Sequence, residues 1–496
     1  MKKNISSFVR IVFLAGYMIT ISSCEKFLEE NPRSFVSVAN YYKTESDAIE
    51  AVNSIYGYLN STSSGSLSGV YKNSLWCTMG VCSEEMANGQ FGAVAWDQLS
   101  SFSHNAQNGT ILEIWQLHYK TITIANIAIE RIPPIVMNEA LKARLLGEAR
   151  FMRALIYFNL VRMFGEIPLV LKEVEPVRPM PAKEADIYAQ ILADLNAAEP
   201  ALPVSYNPGN GLGRATKGAA QALLSKVHLT LGNWAQSAEA AKKVIDSNRY
   251  GLWADFSQAF KYAARNGKEV VFSVSFGDAN GAISFWEVGS FNTWLLPREL
   301  AAEGVNNTQG FRIPTQYIYN QFDPLDRRRE VTFITEVKNA NGTPRTIPPY
   351  IQKYWDRVNE PKGAGSKNDF QVIRYAEVLL NYAEAMNESG NPTVAMQYVN
   401  MIRQRARFNG VTNNNTLPDL VGLTAPQVRD AILRERALEF VAEGHRWFDL
   451  KRTKKLTASS VSAAKPGVTP QDKHYLFPIP QREIDVNPNL KQNSGY

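Results

Sequence analysis

The chain has 496 residues, of which 45% are hydrophobic and 20% charged, and it carries 53 basic and 47 acidic side chains. The apolar fraction excludes an intrinsically disordered chain, and a count of three cysteines excludes a scaffold held together by disulfides. Three of the 53 basic residues lie in the first 23 positions without an acid beside them. The rest of the chain therefore has 50 basic and 47 acidic residues, and this small excess of positive charge gives no support to nucleic-acid binding. Aromatic residues are abundant, with 23 Phe, 21 Tyr and 9 Trp, and this surplus needs an explanation.

The first 23 residues have the pattern of an export signal. Lys2, Lys3 and Arg10 form a basic start, and the apolar run over 11–21 is too short to span a bilayer as a helix. Two serines then precede Cys24, an arrangement that resembles the processing site of bacterial lipoproteins. The resemblance implies that Cys24 becomes the lipidated N-terminus, with palmitate among its acyl chains. The alternative is an ordinary secreted protein in which Cys24 is removed or unpaired.

Apolar residues that recur every three or four positions predict four pairs of helices along the mature chain. Long insertions separate the members of the first two pairs, whereas short turns rich in Gly and Asn connect the members of the last two. In chain order the pairs are 46–59 with 111–132, 141–164 with 187–202, 220–231 with 234–245, and 375–386 with 395–402.

The third and fourth pairs share a sequence pattern. Ala220–Leu224 aligns with Ala376–Leu380, and Ala238 falls opposite Ala395 after a one-residue insertion. Self-similar helix–turn–helix units of about 34 residues, with small residues where helices touch, resemble tetratricopeptide repeats. Stacked units bury an apolar face that one unit alone leaves in solvent. The alternative is a set of unrelated amphipathic hairpins.

The stretch 248–369 has a different character from the helix pairs. It contains one strand-like run, Val270–Phe276, and many glycines in polar, turn-rich segments. It also contains four of the tryptophans, namely Trp253, Trp286, Trp294 and Trp355. This composition predicts a loop-rich cap inserted into the helical part of the chain.

We therefore predict a mainly α fold, in which a tetratricopeptide-like helical-repeat scaffold carries a loop-rich, aromatic-rich cap with short strands. The scaffold helices occupy about 40–247 and 371–452, and the cap occupies about 248–370 and 453–496. Because the two parts interleave in sequence, we expect a single domain over 24–496.

The sequence shows no pattern for a bound metal or cofactor. None of the five histidines has metal-ligand spacing to another His or to a Cys. Cys77 and Cys82 are separated by four residues, which fits neither a zinc knuckle nor a redox pair. A small-loop disulfide and two buried thiols both fit that spacing. Phosphate-binding glycine loops, nucleophile elbows and nucleotide fingerprints are missing from the sequence, so we expect neither metal nor cofactor.

Two acidic pairs come nearest to catalytic machinery. Glu84 with Glu85, or Asp323 with Asp326, would supply the acid and base of a glycosidase if the carboxylates were suitably placed in space. Such pairs arise by chance in a chain with 47 acidic residues. The basic runs of the chain lie beside acids or on helix faces, which is typical of solvated surfaces. We therefore expect a protein that is not an enzyme and does not bind nucleic acid.

Several stretches are similar to the SusD/RagB family of nutrient-binding outer-membrane lipoproteins from Bacteroidetes-type bacteria. They occur in the order found in the family and span almost the whole mature chain. The first includes three glutamates just after Cys24, which look like the surface-export signal of these bacteria. The stretches are 24–32, 148–154 leading into 164–168, 374–385, 435–439 with 443–450, and 476–480 through 487–496.

This resemblance implies a non-catalytic protein that captures oligosaccharides or polysaccharides at the cell surface. It implies delivery of the glycan to a SusC-like TonB-dependent transporter in the outer membrane. It also implies a lipid anchor on Cys24 in the outer membrane, with the protein facing the extracellular side. Capture of peptides for the same kind of uptake system is the alternative.

The resemblance further places the ligand contacts in two stretches, about 84–107 and 277–294. Sugar rings present flat C–H faces that pack on aromatic side chains, while their hydroxyls need amides and carboxylates as partners. Core packing is the alternative for each aromatic residue, and Trp115, Trp234 and Trp447 lie on helical patterns typical of a core. The candidate ligand-binding residues are Asn88, Phe91, Trp96, Asn105, Phe285, Trp286, Phe291 and Trp294, with Asp97 and Asn292 beside them.

Overall fold

The computed structural model describes residues 41–60, 69–174, 176–207, 211–277, 289–359, 362, 366–408, 411–414 and 416–496. The expected lipidation site Cys24 and the candidate residues Phe285 and Trp286 lie outside these ranges. Among the described helices, none combines the length and the apolar character needed to cross a membrane.

Helices dominate the described part of the chain. The helices of the first half are α1 Glu45–Asn60, α2 Ser74–Val81, α3 Val94–Ser100, α4 Gly109–Arg131, α5 Glu139–Phe164, α6 Glu184–Ala201, α7 Lys217–Leu231 and α8 Trp234–Asp246. Those of the second half are α9 Phe291–Leu295, α10 Gln316–Asn320, α11 Arg327–Thr332, α12 Tyr375–Glu388, α13 Pro392–Ala406, α14 Ala425–Glu439, α15 Arg446–Arg452, α16 Ala458–Val461 and α17 Gln481–Val486. The strands are β1 Met86–Asn88, β2 Ile167–Pro168, β3 Pro181–Ala182, β4 Val270–Val274, β5 Arg312–Pro314, β6 Phe333–Lys338, β7 Pro344–Ile351 and β8 Phe370–Arg374.

The four predicted helix pairs are confirmed. α1 packs against α4, α5 against α6, α7 against α8, and α12 against α13. α6 also contacts α7, and α8 contacts α12, so the pairs stack in series. Of the repeated alanines, Ala220, Ala376 and Ala395 are fully buried and Ala238 is half-buried. Small side chains let helix axes approach closely, which explains why the repeated alanines accompany a tetratricopeptide-like stack.

Local sequence signals fix the ends of the scaffold helices. Asn108 accepts two backbone amide hydrogen bonds from the first turn of α4, and Thr216 accepts one from the first turn of α7. These side chains satisfy donors that the first helical turn leaves unpaired. α7 ends at Gly232, whose φ of 75° is in the left-handed region that glycine adopts without strain. The predicted short turn therefore reverses the chain into α8.

The cap contains short two-stranded antiparallel sheets instead of one large sheet. β4 pairs with β8 and β6 with β7, while β1, from the insertion between α1 and α4, pairs with β5. The strand expected at 270–276 is present, although it ends at Val274. β8 continues directly into α12, so the β4–β8 pair joins the cap to the scaffold. One apolar core extends through both parts.

A group of buried ion pairs lies where β8 meets α12. Arg374 is 1% exposed and donates hydrogen bonds to Glu269 at 2.7 Å, Glu439 at 2.9 Å and Glu443 at 2.7 Å. Arg405 of α13 contacts Glu269 and Glu439 as well. We call these five residues the central ion cluster. Because each charge has partners of opposite sign, the cluster remains buried without an unpaired charge.

Replacing Arg374 by methionine should destabilise the protein strongly, because three buried carboxylates lose their shared partner. Removing one member of a buried ion pair costs about 3–5 kcal/mol, and we expect a loss of that size in urea denaturation followed by circular dichroism. The matched control is Lys243→Met, whose ion pair with Glu239 is exposed and should contribute less than about 1 kcal/mol. Equal losses in the two variants would contradict a special role for the central ion cluster.

The central ion cluster also makes stability depend on pH. Burial by itself raises the pKa of Glu439, but Arg405, Arg374 and Arg328 outweigh burial and lower that pKa from 4.5 to about 2. The stabilisation is therefore complete above about pH 4.5 and is lost as the pH falls towards 2. We expect the free energy of unfolding to decrease between pH 5 and pH 3. The Glu439→Gln variant should show a shallower decrease, and an equally steep profile would argue against this linkage.

Candidate functional site

Two distant parts of the chain meet beside β1 and β5. The antiparallel pairing of these strands places Asn88 opposite Arg312. α3, which follows β1, carries Trp96, and α9, which precedes β5, carries Trp294. The strand pair therefore brings together residues from both stretches in which ligand contacts were expected.

Arg312 packs against both tryptophans. Its guanidinium carbon is 3.7 Å from the ring centre of Trp96 and 4.4 Å from that of Trp294. Nη1 of Arg312 donates a hydrogen bond to Oδ1 of Asn88 at 2.6 Å. Burial lowers the pKa of Arg312 to about 10, so the side chain stays charged at neutral pH. A cation held against indole faces away from water contributes about 2 kcal/mol, which fixes the positions of both rings.

The aromatic rings near Arg312 form a chain of contacts. The ring centres of Trp96 and Trp294 are 5.7 Å apart, and those of Trp294 and Phe311 are 5.6 Å apart, both in edge-to-face orientation. Trp96 is buried, with 9% of its surface exposed, whereas Trp294 and Phe311 are half-buried. Phe91, in the turn between β1 and α3, is completely exposed. We call Phe91, Trp96, Trp294 and Phe311 the aromatic surface.

Polar side chains lie at the edge of the aromatic surface. Nδ2 of Asn88 donates a hydrogen bond to Oδ1 of Asp97 at 2.6 Å, while Oδ1 of Asn88 accepts the bond from Arg312. The amide of Asn88 is therefore held at both ends. Asp97 is exposed, so its carboxylate is accessible to hydroxyl donors in solution.

The expected site residues do not all come together. Asn88, Trp96 and Trp294 meet at Arg312, Phe91 lies in the turn between β1 and α3, and Asn105 lies on a separate exposed loop. The side chain of Asn105 accepts a backbone amide hydrogen bond within that loop. Phe285 and Trp286 lie outside the described residues.

The structure corrects the expectation for Phe291. This side chain is 0% exposed, and its ring stacks on Tyr354 with ring centres 4.3 Å apart and on Phe370 at 6.2 Å. The neighbouring Asn292 is also buried. The expectation assumed a loop, but the residues form the short helix α9, which turns Phe291 into the core. Phe291 therefore does not belong to the aromatic surface.

Two members of the site were missed in the sequence. Phe311 and Arg312 come from a part of the cap without a local cluster of aromatic residues. They join the site only because β5 pairs with β1, and these two strands are more than 200 residues apart in the chain. The only signal in the sequence was a short alternating run at 311–314, which is too brief to predict a strand.

The acidic and thiol candidates have structural roles. Glu84 pairs with Arg446 at 2.6 Å, and Glu85 accepts the backbone amide of Ala442 at 2.7 Å; both acids are buried. Of the two arrangements that fitted the cysteine spacing, the structure has two buried free thiols. Burial raises the pKa of each thiol to about 12. Within the described ranges, no three His, Cys, Asp or Glu side chains converge as a metal site.

Comparison with known proteins relates the chain to one family along its length. Residues 335–496 match the model of the SusD family, and residues 26–229 match a model described as starch-binding associating with outer membrane. SusD-like protein P2 of Formosa agariphila is 30% identical to this chain, over 98% of this chain and 99% of that protein. The chain belongs to the SusD family. The resemblance noted in the sequence is therefore confirmed.

Solved structures of SusD-like proteins share the fold. A laminarin-binding SusD-like protein is 26% identical, with a TM-score of 0.75 over 92% of this chain and 100% of that chain. Surface glycan-binding protein A from Bacteroides fluxus is 25% identical, with a TM-score of 0.77 over 92% of this chain and 100% of that chain. These matches confirm the predicted mainly α fold.

Replacing Arg312 by methionine should disturb the aromatic surface. The change removes the cation that packs against Trp96 and Trp294 and takes away one of the two donors to Oδ1 of Asn88, so we expect a loss of about 2–4 kcal/mol in unfolding free energy and an altered near-UV circular dichroism spectrum. The control is Arg298→Met, because that exposed guanidinium lies 5.9 Å from the centre of the Phe311 ring. The control should leave the spectrum unchanged, and identical spectra for Arg312→Met and the native protein would refute this role of Arg312.

Proposed function

We propose that this SusD-family protein is a cell-surface lipoprotein that captures oligosaccharides or polysaccharides on its aromatic surface. The observation that carries the proposal is the completely exposed ring of Phe91, which lies in the turn between β1 and the helix that carries Trp96. An apolar ring in water gains free energy when the flat face of a sugar covers it. The exposed carboxylate of Asp97 at the edge offers a polar partner of the kind that sugar hydroxyls require.

Two relatives support a glycan as the ligand. A laminarin-binding SusD-like protein and a surface glycan-binding protein from Bacteroides fluxus share the fold over most of this chain. Phe91 is completely exposed and Trp294 and Phe311 are half-buried, so more than one ring of the aromatic surface is open to a chain of several sugar rings. Each stacked ring contributes about 1 kcal/mol, so several rings together reach a useful affinity.

Delivery of the glycan to a SusC-like TonB-dependent transporter is part of the proposal. It is supported by the match to a family described as starch-binding associating with outer membrane. The export signal that ends at Cys24 supports lipid anchoring of the mature chain in the outer membrane, facing outward. In this role the protein binds and hands over the glycan without cleaving it.

A panel of soluble polysaccharides, including laminarin and starch, tests the proposal by affinity gel electrophoresis and calorimetry. We expect retardation by at least one glycan. Binding of peptides from a mixed peptide pool, together with no binding to any glycan, would overturn the proposal in favour of peptide capture.

Replacing Phe91 by alanine should weaken binding to the best glycan of the panel about fivefold or more, because one stacking contact is lost. The free energy of unfolding should stay within about 0.5 kcal/mol of the native value, since the ring is fully exposed. Val136→Ala is the matched control, because Val136 is equally exposed but lies between α4 and α5. If both variants bind like the native protein, Phe91 is not part of the glycan site.

A further inference from the structure

A second candidate binding site lies in the helical scaffold. A cavity of about 390 Å³ opens between α5, α6, α7, α14 and α15. Its volume falls in the range of pockets that hold small molecules. None of its lining residues belongs to the aromatic surface or to the residues that support it. We call it the scaffold cavity.

The wall of the scaffold cavity is rich in positive charge. Some of this charge is neutralised by carboxylates: Lys226 pairs with Glu377 at 2.8 Å, and Arg436 pairs with Asp449 at 2.8 Å. Arg452 pairs with Glu384 and also with Asp449. The cationic residues of the wall are Arg162, Lys226, Arg436, Lys451, Arg452 and Lys454. The pairs account for three of these six cations.

Arg162 is the buried cation of the wall without a carboxylate partner. It is 8% exposed, its Nε donates to the carbonyl oxygen of Phe158, and its Nη2 donates to Oδ1 of Asn159. Both acceptors are neutral, and no carboxylate of the described residues lies within ion-pair distance. Nη1 has no partner among the described residues. The guanidinium is sandwiched between the rings of Phe158 and Phe448, each 3.8 Å from its carbon atom.

Two lysines extend this positive region towards the opening. Nζ of Lys451 donates to the carbonyl oxygen of Arg162, and Lys454 is exposed. The wall contains two carboxylates. Asp449 already pairs with Arg436 and Arg452, and the other, Glu184, is exposed. Burial lowers the pKa of Lys451 to about 7, which is the cost of holding its ammonium group away from water, and the charge of Arg162 acts in the same direction. An anion in the cavity would offset that cost.

The wall also contains apolar and aromatic side chains. Phe448 presents its ring beside Arg162, and Leu229 and Tyr188 line the same space. The hydroxyl of Tyr188 has no hydrogen-bond partner among the described residues, so it is available as a donor. Apolar walls with a few converging polar groups are typical of sites for small organic ligands.

We propose that the scaffold cavity binds a small organic anion of about monosaccharide size. Its carboxylate, sulfate or phosphate group would accept hydrogen bonds from Arg162 and Lys451, and its ring would pack against Phe448 and Tyr188. Charge-assisted hydrogen bonds from an arginine and a lysine are among the strongest that a protein offers to an oxyanion. The proposal is independent of glycan binding at the aromatic surface.

Isothermal titration calorimetry of the native protein tests this site, with glucuronate as the probe. Glucose is the neutral control, and inorganic sulfate is the anion without a ring. We expect glucuronate to bind with a millimolar or lower Kd, sulfate to bind more weakly, and glucose not to bind. Replacing Lys451 by glutamine should weaken glucuronate binding about tenfold, because glutamine keeps a donor but loses the charge.

Two further variants separate ligand binding from folding. Lys454→Gln changes an exposed side chain, leaves the fold intact, and should weaken glucuronate binding about threefold. Lys455→Gln is the matched control, because Lys455 is exposed outside the cavity and pairs with Asp430; it should bind like the native protein. The proposal is overturned if native protein binds no glucuronate, if glucose or sulfate binds as tightly, or if Lys454→Gln and Lys451→Gln both bind like the native protein.

Discussion

The structure depends on the burial of Arg374 among its carboxylates. A charge at this depth without partners costs several kcal/mol, so Arg374 stays buried only when Glu269, Glu439 and Glu443 are all in place. These acids come from three places: the residue before β4, the end of α14 and the turn after it. The cap and the scaffold therefore fold onto one another, and neither completes its buried ion pairs alone.

The turn after α14 connects the central ion cluster to the aromatic surface. In this turn Ala442 donates its backbone amide to Glu85, and Arg446, the first residue of α15, pairs with Glu84. The two acids stand just before β1, whose pairing with β5 sets the position of Arg312. The rings are thus held in place before a ligand arrives. Such preorganisation lowers the entropy cost of binding, which matters when each stacked sugar contributes only about 1 kcal/mol.

The parts of the fold that depend on local periodicity were predictable. The helix pairs follow from apolar residues on one face, and the turn at Gly232 follows from a residue that tolerates positive φ. The site was only partly predictable, because it depends on contacts between distant segments. Phe291 looked like a loop aromatic but is buried by a helix of one turn, while Arg312 lies in an alternating run too brief to predict a strand and gained its role from β-pairing. Side-chain burial in short irregular segments is set by tertiary contacts, which the local pattern does not encode.

Hydrogen–deuterium exchange with and without glycan tests the proposed role of the aromatic surface most directly. The native protein is compared alone and with saturating amounts of the tightest-binding polysaccharide from a panel that includes laminarin and starch. We predict slower exchange in 86–98 and 291–313, with little change in the helices α7 and α8. Protection confined to other parts of the protein, with 86–98 and 291–313 unchanged, would contradict glycan capture at the aromatic surface.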